Sequence, residues 1–452
     1  MKKNFLTTII GLLLAPSVFA QTNPAITAWL QNTTKIGSYY VSGNSTAISN
    51  GLLVNCQKVE YSSSWSYVST TGIPAYPVGP YLDRNPNQAG NQNAIFKFPL
   101  NPVVNSGTKT ATGGGNIGVF INGVALFDFR DGVNWSNALN TIQGGPRGGT
   151  GDGVWYRDAI IAERAGFDCA KGHPAGTNYH HHQNPSAFKL DLTVLSTVCN
   201  LYDSDGLYKI DSIKHSPLLG FAYDGFPIYG AYAYKNTDGT GGIVRMKSSY
   251  QLRNITTRTV WADGTDVLDG PPVNTTYPLG YFREDYEYIA RAGQPDYLDI
   301  HNGRICKTPE YPNGIYCYFA TVDAKHNSSY PYVVGPTYYG VRNAAKVANI
   351  TETVTTYIKT TPVTEAHLDN LSIQIFPSPS ADLIAVQLGD LVKEDYNIEL
   401  YDIAGRLVQT KYINKGSTIT YFDTQTLYSG TYLIKISNGV THITRKVVVQ
   451  KN

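Results

Sequence analysis

The chain has 452 residues and a formal net charge of +2, with 15% of its residues charged. That length excludes a single small domain and suggests two or three, and the absence of a basic block excludes a nucleic-acid footprint. Tyrosine outnumbers phenylalanine 34 to 15, beside 43 glycines and 24 prolines. Such a mixture favours strands, tight turns and ordered loops over helices.

Residues 1–20 read as an export signal. Lys2 and Lys3 open it, Leu6 to Leu14 is apolar, and Ser17-Val18-Phe19-Ala20 is a small-residue cleavage site, so the mature chain is expected to start near Gln21. The apolar stretch is too short for a membrane anchor, and no later stretch reads as a transmembrane helix. Residues 21–115 read as the β-rich first part of the main domain, with Leu52-Leu53-Val54 and Ala94 to Phe98 as buried strands. From Ile117 to Phe127, Asn122-Gly123 separates two apolar runs and predicts a hairpin. Residues 144–153 form a Gly-rich surface loop without the ending of a phosphate loop. One short helix is expected between Tyr156 and Ala165.

Three consecutive histidines follow, His180, His181 and His182, a third of the nine in the chain. In an extended segment successive side chains point to opposite faces, so His180 and His182 share one face and His181 takes the other. Two imidazoles so placed can chelate one ion, and neutral imidazole is the commonest protein ligand for zinc and copper. His173 upstream and His215 downstream are candidates for a third and fourth nitrogen. Three histidines with one open position is the plan of a catalytic zinc site, whereas tetragonal nitrogen and oxygen ligation suits copper(II). The spacing fits either metal, and iron as well. Asp168 or Asp224 is a candidate to orient an imidazole. Asp299 and His301, two residues apart, form a second candidate as an acid–imidazole pair. The bland alternatives are solvated or merely packed histidines, and a hydrogen-bonded turn at residues 299–301.

Phe188 to Leu192 alternates like a strand, and Asp203-Ser204-Asp205-Gly206 reads as a plain turn. From His215 to Gly230 aromatic residues are punctuated by Gly and Pro, a pattern for a rigid wall. Five cysteines in an exported chain allow two disulfides. By separation these are Cys306 with Cys317 and Cys169 with Cys199, leaving Cys56, while Cys169 is also near enough in sequence to ligate a metal. Residues 116–345 are expected to form the main domain and 346–372 a Thr-rich connection. Residues 373–452 read as alternating strands of a small antiparallel β-sandwich with no catalytic cluster. The fold class expected is mostly β, a large irregular domain followed by that sandwich. No His-Glu-x-x-His, Gly-x-Ser-x-Gly or Gly-x-Gly-x-x-Gly pattern occurs, which removes the enzyme classes that rest on them.

Two resemblances sharpen these expectations. Gly172-His173, Tyr179-His180-His181-His182 and Pro185, with the run from His215 to Gly230, resemble the YHYH family. His181 stands where that family's second tyrosine would be. The tail resembles the C-terminal sorting domain of the type IX secretion pathway of Bacteroidetes, through Phe376-Pro377-Ser378-Pro379, Asp402 to Gly405-Arg406 and Ser429-Gly430-Thr431-Tyr432. Ser378 replaces the usual Asn. This implies handling by the type IX machinery, passage through the outer membrane, and release or attachment at the cell surface. The family resemblance names the domain and leaves the reaction open. The expectation is therefore an exported protein binding copper or zinc through its histidines. The alternatives are a metal-free surface protein that holds glycans or another protein, and a zinc-dependent hydrolase.

Overall fold

The computed structural model describes residues 23–145, 148–186, 210–358, 373–389, 392, 394–438 and 442–451. The expected export signal, the strand from Phe188 to Leu192, the turn from Asp203 to Gly206 and Cys199 lie outside them. The chain divides into two compact units, residues 1–358 and 359–452. Strands dominate both, and the few described helices are a turn or so long.

In the first unit a mixed eight-stranded sheet carries the histidines. Its strands are β1 (Asn116–Phe120), β2 (Ala125–Phe127), β3 (Gly172–Ala175), β4 (Asn178–His181), β5 (Leu218–Ala222), β6 (Pro227–Tyr229), β7 (Gly303–Cys306) and β8 (Ile315–Phe319). They lie side by side in the order β3-β4-β2-β1-β5-β6-β8-β7. The β1–β2 hairpin turns at Asn122-Gly123, where Gly123 takes φ +79°. The aromatic run becomes the β5–β6 hairpin, every residue of both strands buried. A strand covered on both faces needs no alternation, which is why this run has no polar side.

A five-stranded sheet lies in the same unit, with Ala94–Pro99, Trp65–Thr70 and Cys56–Tyr61 at its centre. Its edges are Ala345–Val347 and Thr355–Tyr357, so part of the expected Thr-rich connection is strand, while 359–372 lies outside the described residues. Trp29 belongs to the core shared with the eight-stranded sheet. It is fully buried, 5.4 Å from both the Phe98 and Phe221 rings, and donates Nε1–H to the Ala25 carbonyl at 2.8 Å. Truncating such a side chain typically costs about 3–5 kcal/mol.

The second unit holds a three-stranded and a four-stranded antiparallel sheet. Along Gly430–Ser437 the residues Tyr432, Ile434 and Ile436 point inward and their neighbours do not, the period of two expected for a sheet with one buried face. They join Ile384, Ile398, Leu400 and Phe422 in a core of the unit's own.

Two disulfide expectations meet different outcomes. Cys169 is disulfide-bonded, which also removes it as a thiolate ligand. Cys306 and Cys317 are instead free buried thiols. The register explains the correction: Cys306 pairs with Ile315 and Cys317 with Arg304, so the cysteines are diagonal neighbours. Diagonal backbone positions stand about 7–8 Å apart, wider than a disulfide usually spans, and the two side chains meet as hydrogen-bonded thiols.

Candidate metal centre

The β3–β4 hairpin sets His173 directly opposite His180. Strand periodicity then brings His182, the next residue after β4, back to the side of His180. Their donor nitrogens, with that of His173, lie within 4.8 Å of one another. His182 Nε2 is 3.1 Å from His180 Nε2 and 3.3 Å from His173 Nε2. All three residues are buried.

The other ring nitrogens fix which atoms face inward. His182 Nδ1–H donates to the Asp128 carbonyl at 2.6 Å, and His180 Nδ1–H to the Asn178 carbonyl at 2.9 Å. A carbonyl only accepts, so each neutral ring must carry its proton on Nδ1 and present a bare lone pair at Nε2. Phe127, from β2, stacks on His180 at 3.8 Å, and Phe167 meets His173 edge to face at 5.1 Å. Two lone pairs 3.1 Å apart repel unless a proton or a metal ion lies between them.

Glu163 adds a carboxylate beside two of the three histidines, and nothing in the sequence pattern marked it. It caps the C-terminus of the expected short helix, Ala159–Ala162, whose N-terminus is capped by Asp158. Glu163 Oε2 lies 3.1 Å from His173 Nε2 and 3.1 Å from His182 Nε2, yet this buried oxygen makes no well-aligned hydrogen bond. Four separations of 3.1–3.3 Å come close to the edge of roughly 3.3 Å in a tetrahedron built on metal–nitrogen bonds of about 2.0–2.1 Å, while Glu163 stands outside the mutual group of the three histidines. Three imidazoles and one carboxylate are a donor set that zinc and copper(II) accept.

The electrostatics are divided. Burial, followed by the charges of His173 and His182, holds His180 well below the usual imidazole range. Burial pulls His182 the same way, but the Glu163 carboxylate outweighs it and the net shift is upward. Glu163 is lowered: burial opposes this, and the close approach and charge of His173 and His182 prevail.

The other expected residues lie elsewhere. His181 faces away, packed on Phe120 and Tyr179 with Nε2 2.8 Å from the Tyr76 hydroxyl. His215 is outside the three-histidine group. Its Nδ1–H donates to the Ser216 carbonyl at 2.7 Å, and its ring rests against Tyr229 and Tyr234. Asp168 accepts from the backbone N–H groups of Gly79, Ala170 and Gly172 and from Tyr179, so it pins the turn into β3 rather than orienting an imidazole. Asp224 accepts from Phe226 N–H, Gly340 N–H and the Tyr318 hydroxyl. Asp299 binds the backbone of His301 and Gly303 and the Tyr316 hydroxyl, while the His301 ring turns to Thr337. These aspartates are structural clamps, and the acid–imidazole ring pair at 299–301 does not form.

With this geometry in hand, comparison with known proteins gives two family matches. The model described as YHYH protein matches residues 95–331, more than half of the chain. That described as the secretion system C-terminal sorting domain matches residues 374–450. No curated protein matches. Among solved structures the chain is similar to a DUF3244-family protein with an immunoglobulin-like β-sandwich fold from Bacteroides vulgatus. The two are 20% identical over 18% of this chain and 88% of that one, with a TM-score of 0.17.

Proposed function

We propose, from the premise that this chain belongs to the YHYH protein family, that it is an exported transition-metal-binding protein. Its ion is zinc or copper(II), held by His173, His180, His182 and Glu163. The sorting tail implies export to the cell surface or beyond, with handling by the type IX machinery. No helix among the described residues is long and apolar enough to cross a membrane. The carrying observation is the clustering of three buried imidazoles, two of them beside the Glu163 carboxylate, with two tautomers fixed by backbone carbonyls. Mixed nitrogen and oxygen ligation excludes neither metal, and the buried, preformed site accounts for histidines that would otherwise crowd their lone pairs.

The test is elemental analysis of protein purified without a histidine tag. About one ion per chain is expected in the wild type. Changing His180 and His182 together to Ala should abolish it while the fold, read by circular dichroism, persists. An unchanged metal content in that double variant would refute the ligand assignment.

A further inference from the structure

Resting on the metal reading above, we infer that the centre is an exchange site whose Glu163 position takes a carboxylate-sized small anion in place of the carboxylate. The four donors are held very unequally. His180 is clamped through Nδ1 to the Asn178 carbonyl and covered by the Phe127 ring, and His182 is clamped to the Asp128 carbonyl. His173 sits in β3, in register with His180, with Phe167 against its ring. These three side chains are at most 9% exposed, and displacing any of them would break a strand pairing or a packed aromatic contact.

Glu163 is held by no strand and no ring packing, only by the two imidazoles 3.1 Å from its Oε2. It lies at the end of a four-residue helix, outside every strand, and its side chain is 23% exposed. Its Oε2 atom has no aligned hydrogen-bond donor to hold it once the ion's attraction is shared with a competitor. The flanking Ile161, Arg164 and Ala165 are exposed, so this is the side on which the centre approaches solvent. A carboxylate that rotates outward from such a position leaves three fixed nitrogens and one vacant site. Phe127 and Phe167 close the histidine side, so a replacement can be little larger than the carboxylate it displaces. Occupants of that size are triatomic or similarly small anions such as azide, formate or bicarbonate. Three rigid ligands with one exchangeable position distinguish a reactive centre from a closed structural one.

Metal-free protein loaded with cobalt(II) and titrated with azide tests this, because cobalt's visible bands report both occupancy and ligand exchange. Wild-type protein should develop the bands at one equivalent and shift them on adding azide. Glu163→Ala, which vacates the position, should retain the bands and bind azide at least tenfold more tightly. Bands that stay unmoved by azide in the wild type overturn the inference and leave the metal reading intact, whether or not Glu163→Ala responds. Absence of the bands altogether overturns both.

Discussion

Glu163 contributes charge and position to the histidine cluster, and the two can be separated. Glu163→Gln keeps the shape of the side chain and removes the charge. Metal affinity, measured by competition with a chromophoric chelator, should fall at least tenfold while the melting temperature of the metal-free protein is little changed. An equal affinity would show that the carboxylate is only a neighbour. Asp224 offers a separate test at this scale. Burial pushes its carboxyl up to about 6 from 3.8, against hydrogen bonds from Tyr318, Gly340 and Phe226. The native state therefore holds this proton more tightly than the unfolded chain. The stability Asp224 contributes is full below its unfolded value near 3.8 and is lost as pH rises through about 6. Relative to Asp224→Asn, wild type should lose up to roughly 3 kcal/mol across that interval, at about 1.4 kcal/mol per pKa unit. Chemical denaturation of both proteins at pH 4, 5, 6 and 7 measures it, and parallel pH profiles would contradict the assignment.

The β3–β4 hairpin converts strand spacing into a chelate. Its register leaves no room at Gly172, where an added Cβ would lie 2.3 Å from the Tyr179 hydroxyl oxygen and 3.0 Å from the His180 carbonyl. Gly172→Ala must displace the strand that carries His173, and such overpacking typically costs about 1–3 kcal/mol. Both the melting temperature and the metal content should fall. A variant with wild-type metal content would mean that the hairpin adjusts without moving His173. Much of this element was legible beforehand: alternation placed His180 and His182 together and His181 opposite, and Asn122-Gly123 marked the neighbouring hairpin. Alternation says nothing about which strand pairs with which. His173 and His215 were therefore equal candidates until the register set one opposite His180 and left the other against Tyr229 and Tyr234. The same ignorance of register paired Cys306 with Cys317.

At the scale of the molecule, the two units have separate cores, and every residue of the proposed centre belongs to the first. Thermal unfolding should show two transitions, only one of them raised by added metal, since a ligand stabilises only the unit that binds it. Removing residues 359–452 should delete the other transition and leave the metal content unchanged. A single cooperative transition, or loss of metal on truncation, would show that the units depend on each other.

Composition and local pattern by themselves determined the β class, the sandwich-like tail with its sorting signature, the family signature and the facing pair of histidines. All of these depend on residues near one another along the chain. Tertiary structure alone decided that Glu163 approaches the histidines, that the Asp128 carbonyl sets the tautomer of His182, and that five expected aspartate and histidine partners serve the scaffold instead. Those outcomes rest on contacts between distant segments and on backbone atoms, which every residue possesses and no sequence pattern distinguishes.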